Sequence, residues 1–170
     1  MNTNATVIDI TIQAQDFDLA AEYEAMRHQS ANPGAIAIFS GLVREIHGEN
    51  ADNHSTDQSL TLEHYPGMTE AALQNIVEEA VQRWPLEACR VIHRVGKLLP
   101  GDQIVLVACS SAHRGAAFAA TEFIMDYLKT TAPFWKKQVA GDSSEWVESR
   151  ESDYAALDRW SEKDRWATKT

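Results

Sequence analysis

The order of the apolar runs along this chain constrains its fold more than any other feature. "ATVIDITI" (5–12), "AIAIFSGLV" (35–43), "SLTLEHY" (59–65), "CRVIHRVG" (89–96), "QIVLVACSS" (103–111) and "FWKKQVA" (134–140) are short and β-branched or alternating, and read as strands. Three segments with helical spacing interrupt them. They are "DFDLAAEYEAMRH" (16–28), with Asp16 or Asp18 as N-cap, "MTEAALQNIVEEAVQRW" (68–84) and "HRGAAFAATEFIMDYLKT" (113–130). Pro85 and Pro133 stop the latter two. Turn signals join other runs: "NPG" (32–34), "LPGD" (99–102) and "GDSS" (141–144), after which "EWVES" can pair back as a hairpin strand. Only some strands are separated by helices, so the pattern predicts an α+β fold with a mainly antiparallel sheet rather than a doubly wound parallel one.

The same periodicities predict the core. Leu73, Ile76, Val77 and Ala80 form the inward stripe of one long helix. Phe118, Thr121, Ile124, Met125 and Leu128 form that of the other, with Lys129 at its edge. Residues 44–58 are polar without a period and predict a mobile loop. One domain is expected over 1–153, followed by a charged, helical tail at 154–170 whose Trp160 and Trp166 pack loosely.

Composition excludes several classes. A chain of 170 residues can bury a core without disulfides or metal. Cys89 and Cys109 sit inside apolar runs with no CxxC spacing, which predicts reduced thiols in a cytoplasmic protein. "MNTNATVIDITI" lacks the basic start and apolar core of a signal peptide, and no apolar run is long enough to span a membrane. No Gly-rich phosphate loop and no metal-ligand spacing of histidines is present, so neither a nucleotide enzyme nor a metal site is expected. The net charge of −10 opposes nucleic acid and anionic membranes. Residues 90–137 depart from that balance, with seven basic and three acidic side chains. A positive region within an acidic chain suits a small anion.

Three constellations can carry chemistry. In "SSAHRGAAF" (110–118) a strand ends and His113 and Arg114 stand at a helix start, where free N–H groups and the dipole favour phosphate or carboxylate. In "FSGLVRE" (39–45) a buried strand presents Arg44 beside the polar loop. In "YLKTTAPFWKKQ" (127–138) Lys129, Lys136 and Lys137 surround a proline and two aromatics. Neighbouring cations and apolar surroundings favour neutral lysine, which suits general acid/base work. On a strand Lys136 and Lys137 point to opposite faces, so only one can join Lys129, and the spacing does not choose between them. Taken singly, each constellation also fits a solvated surface cation.

The segments "LTLEHYPGMTE", "RWPL", "VIHRVG", "PGD", "SAHRGAAF", "FIMDYLKTTAPFWKK" and "WVESRESD" together resemble the molybdopterin synthase large-subunit family from about residue 34 to 153. The resemblance implies an α/β-hammerhead type of α+β fold and a sulfurtransferase without a cofactor of its own. It implies that cyclic pyranopterin monophosphate (precursor Z) receives two sulfurs to form the dithiolene of molybdopterin. The sulfur donor would be a small ubiquitin-like partner with a Gly-Gly C-terminal thiocarboxylate, in a heterotetramer built on a dimer of large subunits. Carried onto this chain, the family's pattern makes Lys129 and Lys136 catalytic, choosing Lys136 over Lys137. It makes Leu42, Val43, Arg44, His113, Arg114, Lys137 and Gln138 substrate-binding, together with Lys129 and Lys136 themselves. It places Phe39, Met125, Pro133 and Arg150 at the pocket or against the partner's tail, Arg150 across the dimer interface. Leu42, Thr131 and Gln138 stand where the family can carry Lys, Arg and an acid, so fine substrate contacts differ. A scaffold that docks the sulfur carrier without catalysing is the alternative; the retained Arg44, His113, Arg114, Lys129 and Lys136 weigh against it.

Overall fold

The structure, a computed structural model, describes residues 5–45, 58–140, 143–147 and 151–161. In chain order these form β1 (Val7–Gln13), α1 (Leu19–Gln29), β2 (Ala35–Leu42), β3 (Gln58–His64), α2 (Met68–Arg83) and β4 (Ala88–Arg94). They continue with β5 (Gly96–Leu98), β6 (Gln103–Ser111), α3 (Arg114–Thr130), β7 (Phe134–Ala140), β8 (Ser143–Val147) and α4 (Glu151–Ser161). The α+β expectation holds, but the strands divide into two four-stranded sheets, β1-β4-β6-β2 and β5-β3-β7-β8. Among the described strands only the β1–β4 pair is parallel.

The division arises inside the run expected as one strand over 89–96. β4 stops at Arg94, Gly96 takes φ 89°, and Gly96–Leu98 pairs with β3 in the second sheet. That backbone region is open to glycine and costly for side chains with a Cβ, so Gly96 is the point where the chain changes sheets. Asp18 caps α1, its carboxylate accepting from the Ala20 and Ala21 N–H groups. Asp16 instead accepts from the Phe17 N–H and from Gln103, which hold its carboxyl below the usual range.

The main core lies between the first sheet and helices α2 and α3. Leu73, Ile76, Val77 and Ala80 are buried as their spacing predicts. On α3 the buried set is Ala117, Ala120, Thr121, Phe123, Ile124, Met125 and Leu128. Phe118, expected inside, is 66% exposed. It shares a flank with Met125, two turns on, and the ion pairs from α4 engage α3 further along, Arg159 with Glu122 and Asp126 and Asp153 with Lys129. The loose packing expected for Trp160 is also overturned. Trp160 is 6% exposed, packs edge-on against Trp84 and Phe123, and donates its indole N–H to Asp126 at 2.7 Å. An aromatic body with a satisfied polar tip anchors the helix to the core. Most of the 44–58 loop and Trp166 lie outside the described residues.

Between the sheets His93 is 3% exposed and stacks on Phe134 of β7, centroids 3.8 Å apart. Its Nδ1 lies 2.8 Å from the Arg94 carbonyl oxygen. Burial, reinforced by Lys136 and His64, lowers its pKa from 6.5 to about 4 although that carbonyl contact favours the proton. Below pH 6.5 the unfolded chain therefore takes up a proton that the folded chain refuses. The stability associated with neutral His93 is complete above pH 6.5 and is lost as pH falls toward 4, by about 3 kcal/mol in all. Urea titrations between pH 7 and 4.5 should show a one-proton steeper loss in the wild type than in His93→Phe; equal slopes would contradict the assignment. Trp160→Ala should cost about 3–5 kcal/mol in the same assay, whereas an unchanged midpoint would show that α4 does not stabilise the core.

Candidate active site

Helix α3 carries expected site residues at both of its ends. At its start, β6 delivers the buried Ser110 and Ser111, and His113 occupies the N-cap position with extended backbone and no side-chain cap bond. The first-turn N–H groups thus lack the hydroxyl or carboxylate that usually satisfies them. Arg114 is the first helical residue, and both it and His113 are exposed. Uncapped N–H groups beside a guanidinium and an imidazole make a site for an oxyanion.

At its end, Lys129 occupies the last turn, Thr131 is the C-cap, and Pro133 leads into β7. The hydroxyl of Thr69, itself fully buried, donates to the Pro133 carbonyl at 3.2 Å and accepts from the Tyr65 N–H at 3.0 Å. The turn is thereby tied to the start of α2. A cavity of about 440 Å³ opens here, lined by Phe39 of β2, by Phe118, Glu122, Met125, Asp126 and Lys129 of α3, and by Asp153 of α4. Lys129 Nζ lies 3.9 Å from the Asp153 carboxylate. Burial pushes the Asp126 carboxyl up, opposed by its bonds to Trp160 and Arg159. The cavity therefore joins an apolar wall to one lysine and a set of carboxylates.

Strand register separates the remaining lysines. Lys136 stands opposite Leu62, which packs with Val43, Leu60 and Leu98 between the sheets, so Lys136 shares the inner face. Gln138 stands opposite Leu60 on that face. Lys137 takes the outer face, with Nζ 5.9 Å from the Trp146 ring centroid. Lys136 is not among the residues lining the Lys129 cavity.

Arg44 is exposed just past β2. A register shift between Gly41 and Leu42 leaves Leu42 54% exposed and Val43 buried. Val43 donates to the Asp102 carbonyl at 2.9 Å and accepts from Gly101 at 2.8 Å, which fixes the strand exit before Arg44. Ala35 pairs with Ser111 and Leu42 with Gln103, so β2 spans about 24 Å between the His113 end and the Arg44 end. Fifteen residues of helix likewise separate Arg114 from Lys129 by about 22 Å. Thr121, Met125 and Lys129 share a cavity with Ala37 and Phe39, so α3 runs back along β2 toward Arg44. One chain thus gathers Arg44, Lys129 and Lys136 toward one end and His113 with Arg114 at the other. Arg150 lies outside the described residues.

The sequence reading missed the carboxylates of this cavity. Asp126 had a signal, standing one helical turn before Lys129. Asp153 had none, because its position depends on the docking of α4. Cys89 and Cys109 stand opposite each other on β4 and β6, both buried. The neighbouring Cys109 thiol and burial push the Cys89 thiol up, which keeps it protonated and unreactive. Among the described residues no three His, Cys, Asp or Glu side chains gather as a metal site, and no helix is long and apolar enough to cross a membrane.

Residues 12–131 match the family model described as MoaE protein. The molybdopterin synthase catalytic subunit of Vibrio cholerae serotype O1 is 54% identical over 152 residues, covering 89% of this chain and 97% of that one. The solved molybdopterin cofactor biosynthesis protein E of Burkholderia multivorans is 49% identical with a TM-score of 0.76, covering 91% of this chain and 97% of that one. The crystal structure of molybdopterin synthase from Staphylococcus aureus is similar at 31% identity and a TM-score of 0.68, over 80% of this chain and 94% of that one. Residues 12–131 carry the family pattern and the full-length relatives share half of their residues with this chain, which therefore belongs to the MoaE family.

Proposed function

We propose that this chain is the catalytic subunit of a molybdopterin synthase. It transfers sulfur from the C-terminal thiocarboxylate of a small ubiquitin-like partner to cyclic pyranopterin monophosphate and so forms the dithiolene of molybdopterin, in the cytoplasm. The observation that carries this reading is the cavity at the end of α3. There Lys129 borders an apolar wall of Phe39, Phe118 and Met125 in a cavity of about 440 Å³, within the size range of small-molecule sites. Arg44, His113 and Arg114 bind the anionic substrate, with Leu42, Val43 and Gln138 as neighbouring contacts. Lys129 acts as general acid/base at the sulfur-transfer step or positions the thiocarboxylate, and Lys136 assists from the next strand. Phe39, Met125 and Pro133 line the channel for the partner's tail.

Division of the cations between the two ends of α3 supports a site shared by two copies. A two-fold axis that sets two α3 helices antiparallel brings His113 and Arg114 of one copy to Lys129 of the other. The exposed Phe39 and Phe118 lie on the face that a second copy would cover.

Reconstitution tests the reading directly. The purified chain, a thiocarboxylated small subunit and cyclic pyranopterin monophosphate should yield a dithiolene product. Lys129→Ala should reduce turnover by about 10²-fold or more with the fold intact. No product from the wild type would refute the function, and full activity in the variant would refute the role of Lys129.

A further inference from the structure

The turn that presents His113 and Arg114 is braced from two sides by residues outside the proposed site. Gly34 precedes β2, and its N–H donates to the Ser111 carbonyl at 3.1 Å. A Cβ built on Gly34 would collide with the Ala112 carbonyl oxygen and stand 2.9 Å from the carbonyl carbon. Both are backbone atoms, which cannot swing aside as the end of a side chain can. Gly34 does not have a positive φ. What it supplies is space: the chain entering β2 runs directly against the chain leaving β6 one residue before His113.

Ser111 braces the turn from within. It is fully buried, donates its hydroxyl to the Pro85 carbonyl at 2.8 Å, and accepts from the His113 N–H at 3.3 Å. One hydroxyl thus links the α2–β4 connection to the residue at the start of α3. His113 has no side-chain cap of its own, and the Ser111 hydroxyl takes the N–H of His113 itself, which fixes the N-cap residue and leaves the first-turn N–H groups open.

We infer that Gly34 and Ser111 are positioning residues of the anion-binding end of α3. Backbone packing at Gly34 and the buried hydroxyl of Ser111 set where His113 and Arg114 meet the phosphate of the substrate. Neither residue touches substrate in this assignment. The inference rests on the reading of that helix end as the anion site. It assigns the Pro-Gly turn at 33–34 and the second serine of "SSAHRG" a share in substrate affinity rather than in the proton-transfer step.

The test uses the reconstituted complex with thiocarboxylated small subunit and measures kcat and KM for cyclic pyranopterin monophosphate. Gly34→Ala and Ser111→Ala should each raise KM at least fivefold and leave kcat within about twofold, as Arg114→Ala should do more strongly. Lys129→Ala should show the opposite split. A merely structural role for Gly34 or Ser111 would reduce the active fraction, and hence kcat, with KM unchanged. Should Gly34→Ala fail to fold, Ser111→Ala decides alone, since it removes a single hydroxyl. Unchanged KM in the positioning variants, with KM raised in Arg114→Ala, would overturn the inference and leave the anion site standing. Unchanged KM in Arg114→Ala would overturn the anion site itself and the inference with it.

Discussion

Helix α3 is the constraint on which the rest of this protein depends. Its seventeen residues lie along β2 and β6 with Ala117, Ala120, Thr121, Ile124 and Leu128 buried beneath it. A helix held along its whole length by packing cannot bend to bring its ends together. Arg114 and Lys129 therefore stay about 22 Å apart in one chain, and chemistry that needs both must be completed from outside it. The same rigidity makes each end a dependable platform. One presents uncapped N–H groups beside Arg114, and the other presents Lys129 over an apolar cavity.

The surrounding elements serve these two ends differently. At the C-terminal end α4 docks through Trp160 and Arg159, bringing Asp153 beside Lys129 and engaging Asp126. Carboxylates therefore balance the lysine in a chain whose overall charge is already −10. At the N-terminal end no carboxylate among the described residues is bonded to His113 or Arg114, and the bracing comes from neutral contacts at Gly34 and Ser111. That contrast sets a positively charged helix start against a lysine balanced by carboxylates at the helix end.

Much of this was legible in the sequence, for reasons that differ by element. Helices α2 and α3 announced themselves because 3.6-residue spacing runs uninterrupted up to a proline. The pairing of β7 with β8 followed from a short turn between two β-rich runs. The second sheet was not legible, since it depends on one glycine taking positive φ at the end of a run that otherwise reads as a continuous strand. Phe118 fooled the periodicity because it shares its flank with Met125, and α4 docks on α3 further along. That same docking made Trp160 a core residue and brought in Asp153. Register decided between Lys136 and Lys137, placing the first against Leu62 and the second beside Trp146. The separation of His113 from Lys129 was readable from helix length alone, yet motif matching grouped them in one site because it disregards distance along the helix.

The central claim is that one functional site takes Lys129 from one copy and His113 with Arg114 from another. Subunit complementation measures it most directly. A Lys129→Ala chain and a chain carrying His113→Ala and Arg114→Ala, each with little activity alone at substrate well below the raised KM, are mixed, dissociated and reassembled with the thiocarboxylated small subunit, and assayed at that substrate level. Statistical mixing makes half of the dimers hybrids, and each hybrid holds one intact shared site. About a quarter of wild-type activity should return. Activity that stays at the level of the separate variants, in mixtures shown to contain hybrids, would mean that each site is built within one chain and would contradict the account.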